Sequence, residues 1–293
     1  MGQHPLKTIA SIFVWSGTRP RRRTFSPSAK HRKHCEQVTF PSLAHCGETV
    51  ELSGWLFPAQ KPLGSIILCH GHTSDKREMA DRAFLFSKHH FTTLTFDFRA
   101  RGMSGGDACT LGWLEQLDVL GAIKYLQARN ELQHLPIGAI GSSMGAAACI
   151  LAAAQPLGGG LGIRAIVAEA SFGNLDAAVR QRAGLFLGRA GKTVAEECAK
   201  IAKCQLDMEI GTISPADAIP LVAPRPVLLI EDGLDLTCPS SQSKLLQSQA
   251  KPPFEIWVAR AAPHSGAFFM YPELYVQRVC AFMKAAFTAG STS

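Results

Sequence analysis

The sequence predicts an α/β fold: a mostly parallel, doubly wound sheet with helices on both faces. Two observations carry that expectation. Short continuous apolar runs recur along the chain, as in GSIILCHG (Gly64 to Gly71), FTTLTFDFR (Phe91 to Arg99) and RPVLLIEDG (Arg225 to Gly233). Runs of about four to six such residues suit strands buried on both faces, the condition of a parallel sheet. Between them lie stretches with a period near 3.6. Strand–helix alternation of this kind builds an open sheet whose binding groups collect at the C-terminal ends of the strands. With 293 residues and 46% hydrophobic content, the chain can bury a large core.

The first element in order is a basic arm, residues 1–34. It holds eight of the 30 lysines and arginines and no acidic residue, leaving 22 basic residues to face 23 acidic ones over 35–293. The net charge of +7 therefore belongs to the arm, and the body is nearly neutral. A segment of this charge could touch anionic lipid or nucleic acid. With a neutral body behind it, no nucleic-acid partner is expected and weak contact with an anionic membrane stays open. The plain reading is a solvated extension whose removal leaves activity unchanged.

Targeting signals are incomplete in the arm. RRRTF (Arg21 to Phe25) resembles a twin-arginine export core without the apolar stretch that should follow. MGQHPL lacks the Ser or Thr that myristoylation requires at position six. An acid-free basic start also leaves an organellar transit peptide open. TIASIFVW (Thr8 to Trp15) is far shorter than the roughly 20 apolar residues that span a bilayer. The nine cysteines show no C-x-x-C spacing, and Cys69, Cys149 and Cys280 sit in apolar contexts. Buried reduced thiols in a cytoplasmic protein are expected.

The body, 35–293, then reads strand by strand. GETVELSGWLFP (Gly47 to Pro58) alternates like one arm of a half-exposed hairpin. After the strands ending at Cys69 and near Phe96, WLEQLDVLGAIKYLQAR (Trp113 to Arg129) has helical spacing. LPIGAIG (Leu135 to Gly141) and IRAIVAEAS (Ile163 to Ser171) repeat the strand form. Two further helices follow, NLDAAVRQRAGLFLG and TVAEECAKIAKCQ. RPVLLIEDG and FEIWVARAAPH (Phe254 to His264) are the last strands, with SKLLQSQ between them and PELYVQRVCAFMKAAF (Pro272 to Phe287) as the closing helix.

Chemistry concentrates where strands end. In AIGSSMGAAA (Ala139 to Ala148), Ser143 lies between the strand closing near Ile140 and a strong helix former. Gly141 and Gly145 give room for a tight strand-to-helix turn, and the Met144 amide at the helix start can face an oxyanion. G-x-S-x-G alone is weak in a chain with 26 glycines. An acid and a base must follow it in order, because serine is a weak nucleophile until an oriented imidazole takes its proton. Asp235 in EDGLDLTCP and His264 in AAPHSGAFF both follow strands and supply that order. Glu231 and Asp232 are rival acids nearer the strand. His89, His90 and His134 precede strands and so lie at the wrong end of the sheet. CHGHTSDKRE (Cys69 to Glu78) offers the amide of His72 as a second oxyanion donor.

Six blocks now stand in order: CHGHTSDKRE, FDFRARGMSGG, LEQLDVLGAIKYL, IGSSMGAAACI, EDGLDLTCP and PHSGAFF. Together they resemble the α/β-hydrolase superfamily, and within it the serine aminopeptidase-like and dienelactone-hydrolase-like esterases, over roughly residues 37–286. VTFPSLAHCGETVELSGWLFPA resembles the opening hairpin of those proteins. The resemblance implies an α/β-hydrolase domain over 35–293 with a small helical cap inserted near 172–220. It implies a Ser143–His264–Asp235 triad and an oxyanion hole from the His72 and Met144 amides. Asp97, Arg99, Gly102 and Ser104 would then brace the nucleophile loop. The chain departs from the pattern where many relatives have His-Gly after the acid-bearing strand, since Glu231-Asp232 stand there. In the cap, Leu185, Phe186 and Leu187 are read as core packing before an acyl pocket.

The expected activity is a serine hydrolase cleaving carboxylic esters or related acyl compounds through an acyl-enzyme. Its partner is a small acyl substrate, and no cofactor and no metal are expected. A peptidase or amidase of the same fold is the alternative, with Glu196 or Glu197 as candidates to hold a substrate amine. A catalytically silent binding protein is the third reading.

Overall fold

The computed structural model describes residues 5–156 and 162–289. In chain order the elements are α1 (Pro5–Thr18), β1 (Arg21–Arg22), α2 (Ala29–Arg32), β2 (Glu36–Pro41), β3 (Glu51–Phe57) and β4 (Gly64–Cys69). Next come α3 (Arg77–Lys88), β5 (Phe91–Phe96), β6 (Arg101–Gly102), α4 (Glu115–Gln127), β7 (Ile137–Ser142), α5 (Met144–Ala154) and β8 (Ile163–Glu169). Then follow α6 (Leu175–Leu187), α7 (Gly191–Leu206), α8 (Pro215–Ala218), β9 (Val227–Asp232), α9 (Ser240–Gln249), β10 (Phe254–Ala259), α10 (Ala267–Met270) and α11 (Pro272–Thr288).

Eight strands form one sheet in the order β10-β9-β8-β7-β4-β5-β3-β2. From β5 to β10 every neighbouring pair is parallel, while β3 and β2 close one edge antiparallel. The continuous apolar runs have the expected cause. In β4, Ile67 and Cys69 pack towards α4 and α5, while Ile66 and Leu68 pack towards α3 and α11. In β9, Val227 and Leu229 take the first side and Leu228 and Ile230 the second. A strand with helices on both faces has no exposed side to make polar.

α3 carries no expectation from the sequence, although Met79, Ala83 and Phe86 recur at helical spacing and are buried. α6 and α7 occupy the insertion between β8 and β9 and pack on each other.

The basic arm is not a solvated extension. α1 lies along α7, burying Ala10 and Val14 against Val194, Cys198 and Ile201. Burying the Val14, Val194 and Ile201 side chains contributes roughly 1.5–3 kcal/mol each, and the methyl of Ala10 about 0.8 kcal/mol. Beyond α1, β1 pairs with β6 in a two-stranded parallel ladder. Phe25 packs on Trp55 and under the Lys76 ammonium at 4.7 Å, and buried His31 meets Asp81 at 3.1 Å. The arm's charge suggested solvation, but its apolar residues and backbone groups find partners on the body. All nine cysteines are free, and Cys69, Cys109, Cys149, Cys198, Cys238 and Cys280 are buried.

Candidate active site

Ser143 sits at the turn between β7 and α5 with φ +53° and ψ −117°, a conformation that side-chain-bearing residues rarely adopt. The sequence around it makes that turn sterically available. A Cβ on Gly141 would meet the Ala146 nitrogen at 2.4 Å, and one on Gly145 would meet the Cys69 carbonyl oxygen at 2.3 Å. Both sites therefore need glycine. The Ser143 amide donates to the Glu169 carbonyl at 2.8 Å, continuing the strand pairing. The Met144 amide opens α5 and has no intrahelical acceptor available to it.

Two loops bring the partners. His264 Nε2 lies 2.9 Å from Ser143 Oγ, and His264 Nδ1 lies 2.6 Å from Asp235 Oδ2. The carboxylate can only accept, so Nδ1 carries the proton and Nε2 is left to accept from the serine hydroxyl. Asp235 is buried, and its other oxygen accepts from the Thr237 and Cys238 amides at 2.7 and 2.8 Å. These three bonds fix the carboxylate in one orientation. The rival acids lie elsewhere: Glu231 takes a 3.4 Å contact from Gln247, and Asp232 faces inward beneath the histidine loop. Cys238 stands beside Asp235 and His264, but burial pushes its thiol up to about 12 and keeps it protonated.

The histidine loop rests on two buried carboxylates. Glu169 at the end of β8 accepts from the Ala267 amide at 3.0 Å, and Asp232 at the end of β9 accepts from the Gly266 amide at 3.3 Å. Glu169 also receives the Tyr275 hydroxyl at 3.2 Å and a 3.5 Å contact from the fully buried Arg82. Burial, with Glu169 close by, pushes Asp232 up to about 8. This is what the Glu-Asp departure after β9 does. Asp232 anchors the loop that carries His264 through the Gly266 amide, and the contact with the imidazole itself falls to Asp235.

On the other side of Ser143, the loop after β4 approaches closely: a Cβ on Gly71 would sit 3.7 Å from the Ser143 Cβ. His70 accepts from the Phe98 amide through Nε2 at 3.1 Å, so its Nδ1 donates to the Gly71 carbonyl at 2.7 Å. His72 donates from Nε2 to the carbonyl of Gly17 at 2.5 Å. Arg101 donates to the same carbonyl at 3.2 Å, to the His72 carbonyl at 2.8 Å and to the Arg19 carbonyl at 3.0 Å. Burial drives His72 down to about 4, which keeps its ring neutral. The end of α1 is thus tied to the residue whose amide is the expected oxyanion donor. Sequence reading missed this contact, because the acceptor is a backbone carbonyl 55 residues away and has no side-chain signature.

Of the residues expected to brace the nucleophile loop, Asp97, Gly102 and Ser104 meet one another and Lys76. Asp97 accepts from the Lys76 ammonium and amide and from the Met103 amide, and Ser104 donates to the Asp97 carbonyl at 2.6 Å. Gly102 passes so near Asp97 that a Cβ would fall 2.2 Å from its carboxyl. Arg99 pairs with Asp118 at 2.7 Å and does not enter the triad. In the cap, Leu185 and Phe186 point outward and are not packed in a core, whereas Leu187 joins the α1–α7 seam. Glu196 meets Arg180 at 3.6 Å and Glu197 meets Lys200 at 2.7 Å. A cavity of about 670 Å³ lined in part by Lys33, His34 and His90 includes none of the triad residues.

Residues 66–278 match the model of the alpha/beta hydrolase family, well over half of the chain. The chain belongs to this family. A Bacillus subtilis protein, the uncharacterized YqkD, is 25% identical over 236 residues, 80% of this chain and 75% of that protein. The uncharacterized Rv2307c of Mycobacterium tuberculosis is 27% identical over 150 residues, 49% of this chain and 52% of that protein. Among solved structures, the Pyrococcus furiosus esterase Pf2001 superposes with a TM-score of 0.71 at 24% identity, over 92% of this chain and 99% of that one. Est1E of Butyrivibrio proteoclasticus, solved with ferulic acid, superposes with a TM-score of 0.62 at 18% identity, covering 84% and 99%. These likenesses concern the fold. In the family's α/β frame, Ser143, Asp235 and His264 follow β7, β9 and β10, at the C-terminal end of the sheet.

Proposed function

We propose that this α/β hydrolase is a serine esterase. The observation that carries the reading is the chain of hydrogen bonds from Ser143 through His264 to Asp235, at 2.9 and 2.6 Å, on three loops of one sheet end. Ser143 Oγ attacks the ester carbonyl carbon while its proton passes to His264 Nε2. The tetrahedral oxyanion is held by the Met144 and His72 amides, donors of a kind worth a few kcal/mol each in the transition state. As the C–O bond breaks, His264 returns the proton to the leaving alcohol and an acyl-serine remains. Water then attacks the acyl carbon, His264 takes its proton and passes it to Ser143, and the carboxylic acid departs. Asp235 holds the imidazole tautomer throughout and offsets its charge.

The peptidase reading gains no support from the cap, where Glu196 and Glu197 are already paired with cations of this chain. The three groups also stand at working distance, which speaks against a silent binding protein. A fluorophosphonate should label the wild type and not Ser143→Ala. p-Nitrophenyl esters of rising acyl length should be turned over with a preferred length. Absence of labelling, or equal labelling of the variant, would sink the esterase. Turnover of aminoacyl amides with none of the esters would select the peptidase instead.

A further inference from the structure

We propose that the outer face of α1, with the exposed end of α6, docks on an anionic phospholipid bilayer. α1 is apolar on both sides. Its inner side, Ala10 and Val14, is covered by α7, while Ile12 and Trp15 on the outer side are more than half exposed and Phe13 is partly so. Leu185 and Phe186 at the end of α6 are likewise more than half exposed, next to Leu187, which packs into the α1–α7 seam. Five large apolar side chains thus stand in solvent on adjoining elements, while their neighbours complete a core.

The charge around this surface names the occupant. No residue from 1 to 34 is acidic, and Lys7, Arg19 and Arg23 are exposed there, while Arg22 lies 3.6 Å from Asp107 of the body. On the cap, Arg182, Arg189 and Lys192 are exposed as well. Of the acids on α6 and α7, Asp176 and Glu196 both lie within ion-pair distance of Arg180, and Glu197 within that of Lys200. The arginines also travel with the aromatics: the Arg19 guanidinium lies 4.2 Å from the Trp15 ring centre, and that of Arg182 lies 5.8 Å from Phe186. An aromatic ring beside a cation suits the headgroup boundary, where the ring enters the acyl edge and the guanidinium meets phosphate.

At 14 residues α1 is too short to cross a bilayer and would lie in its plane. Among the described residues no helix is long and apolar enough to span one. Apolar insertion and basic attraction are each weak alone and hold a protein together. A second copy of the chain is a poorer occupant, since its matching face would bring like charges together.

Flotation of the full chain with large unilamellar vesicles tests this directly. The protein should float with vesicles of phosphatidylcholine and phosphatidylserine, with at least tenfold less bound to phosphatidylcholine alone and less at high salt. Ile12→Ser with Trp15→Ser should lose the binding about tenfold while turnover of a water-soluble ester is unchanged. Arg19→Glu with Arg182→Glu should lose it with every apolar side chain of the face retained. Ser143→Ala should float like the wild type, which keeps this result separate from the esterase reading. Equal binding to both vesicles, no binding to either, or full binding by the Ser variant overturns the proposal. So does a dimer in light scattering that the Ser variant abolishes.

Discussion

The two sides of Ser143 are built differently. The side of the proposed acid and base is made by the body alone: β8, β9 and β10 end in Glu169, Asp232 and Ala259, and their loops hold His264 and Asp235 through bonds between neighbouring strands. The side of the proposed oxyanion donor His72 is finished by a distant segment, with Gly17 accepting from His72 and Arg101. One side is a product of sheet topology and the other is a clamp added from outside the sheet. Damage to the first should remove chemistry. Damage to the second should loosen it.

The largest effect belongs to the first side. Asp235→Asn keeps the shape of the carboxylate but cannot hold His264 in the tautomer that accepts from Ser143. A loss in kcat of about 10⁴-fold is expected, as for the orienting acid of such triads generally. Adding His264→Ala should bring the loss to that of His264→Ala alone and no further, because the groups act as one unit. A loss as small as tenfold would mean that Asp232 or Glu231 takes over the role.

The clamp comes next. Removal of residues 1–23 exposes Val194, Cys198 and Ile201 and takes away the Gly17 acceptor. Turnover of a soluble ester should fall at least tenfold, with a lower melting temperature. This reverses the outcome expected for a solvated arm. His72→Ala isolates the clamp, since the backbone amide survives. Its kcat should fall about tenfold with KM little changed, less than the 10²–10³ that removing a donor costs. His72→Gln, which offers an N–H of its own to Gly17, should recover part of the loss. Equal kcat in all three proteins would make the clamp irrelevant to the reaction.

What could be read in advance divides along the same line. The inner parallel strands are legible because burial on both faces leaves them mostly apolar, and the edge strand β10 because it stays apolar at Ile256 and Val258 although both are exposed. The turn at Ser143 is legible because Gly141 and Gly145 have no room for a Cβ. α1 is not legible: its inner face offers two anchors, Ala10 and Val14, and the surrounding charge outweighs them in any compositional reading. The roles of Asp232 and Glu169 are hidden for another reason. They act through the backbone amides of Gly266 and Ala267, and an amide carries no residue type.

The smallest effect separates the two sides by pH. Asp232 is raised from 3.8 to about 8, so between those values the folded state holds a proton that the unfolded chain has released. Its stabilisation is whole in acid and is lost as pH rises through about 8. His72 is lowered from 6.5 to about 4, so its stabilisation is whole above 6.5 and is lost as pH falls through about 4. In the acid range the two trends oppose each other, with Asp118, raised to about 6 by burial, on the side of Asp232. Above pH 6.5 only the tail of the unfolded-state His72 titration remains, and the carboxylate side sets the trend. The melting temperature should therefore fall from pH 6.5 to 8, by roughly 2–4 °C for each kcal/mol lost in a chain of this size. Asp232→Asn still accepts from the Gly266 amide but cannot ionise, and it should flatten that slope. Parallel slopes in the two proteins would move the effect off Asp232 and onto Glu169, whose carboxyl burial also raises.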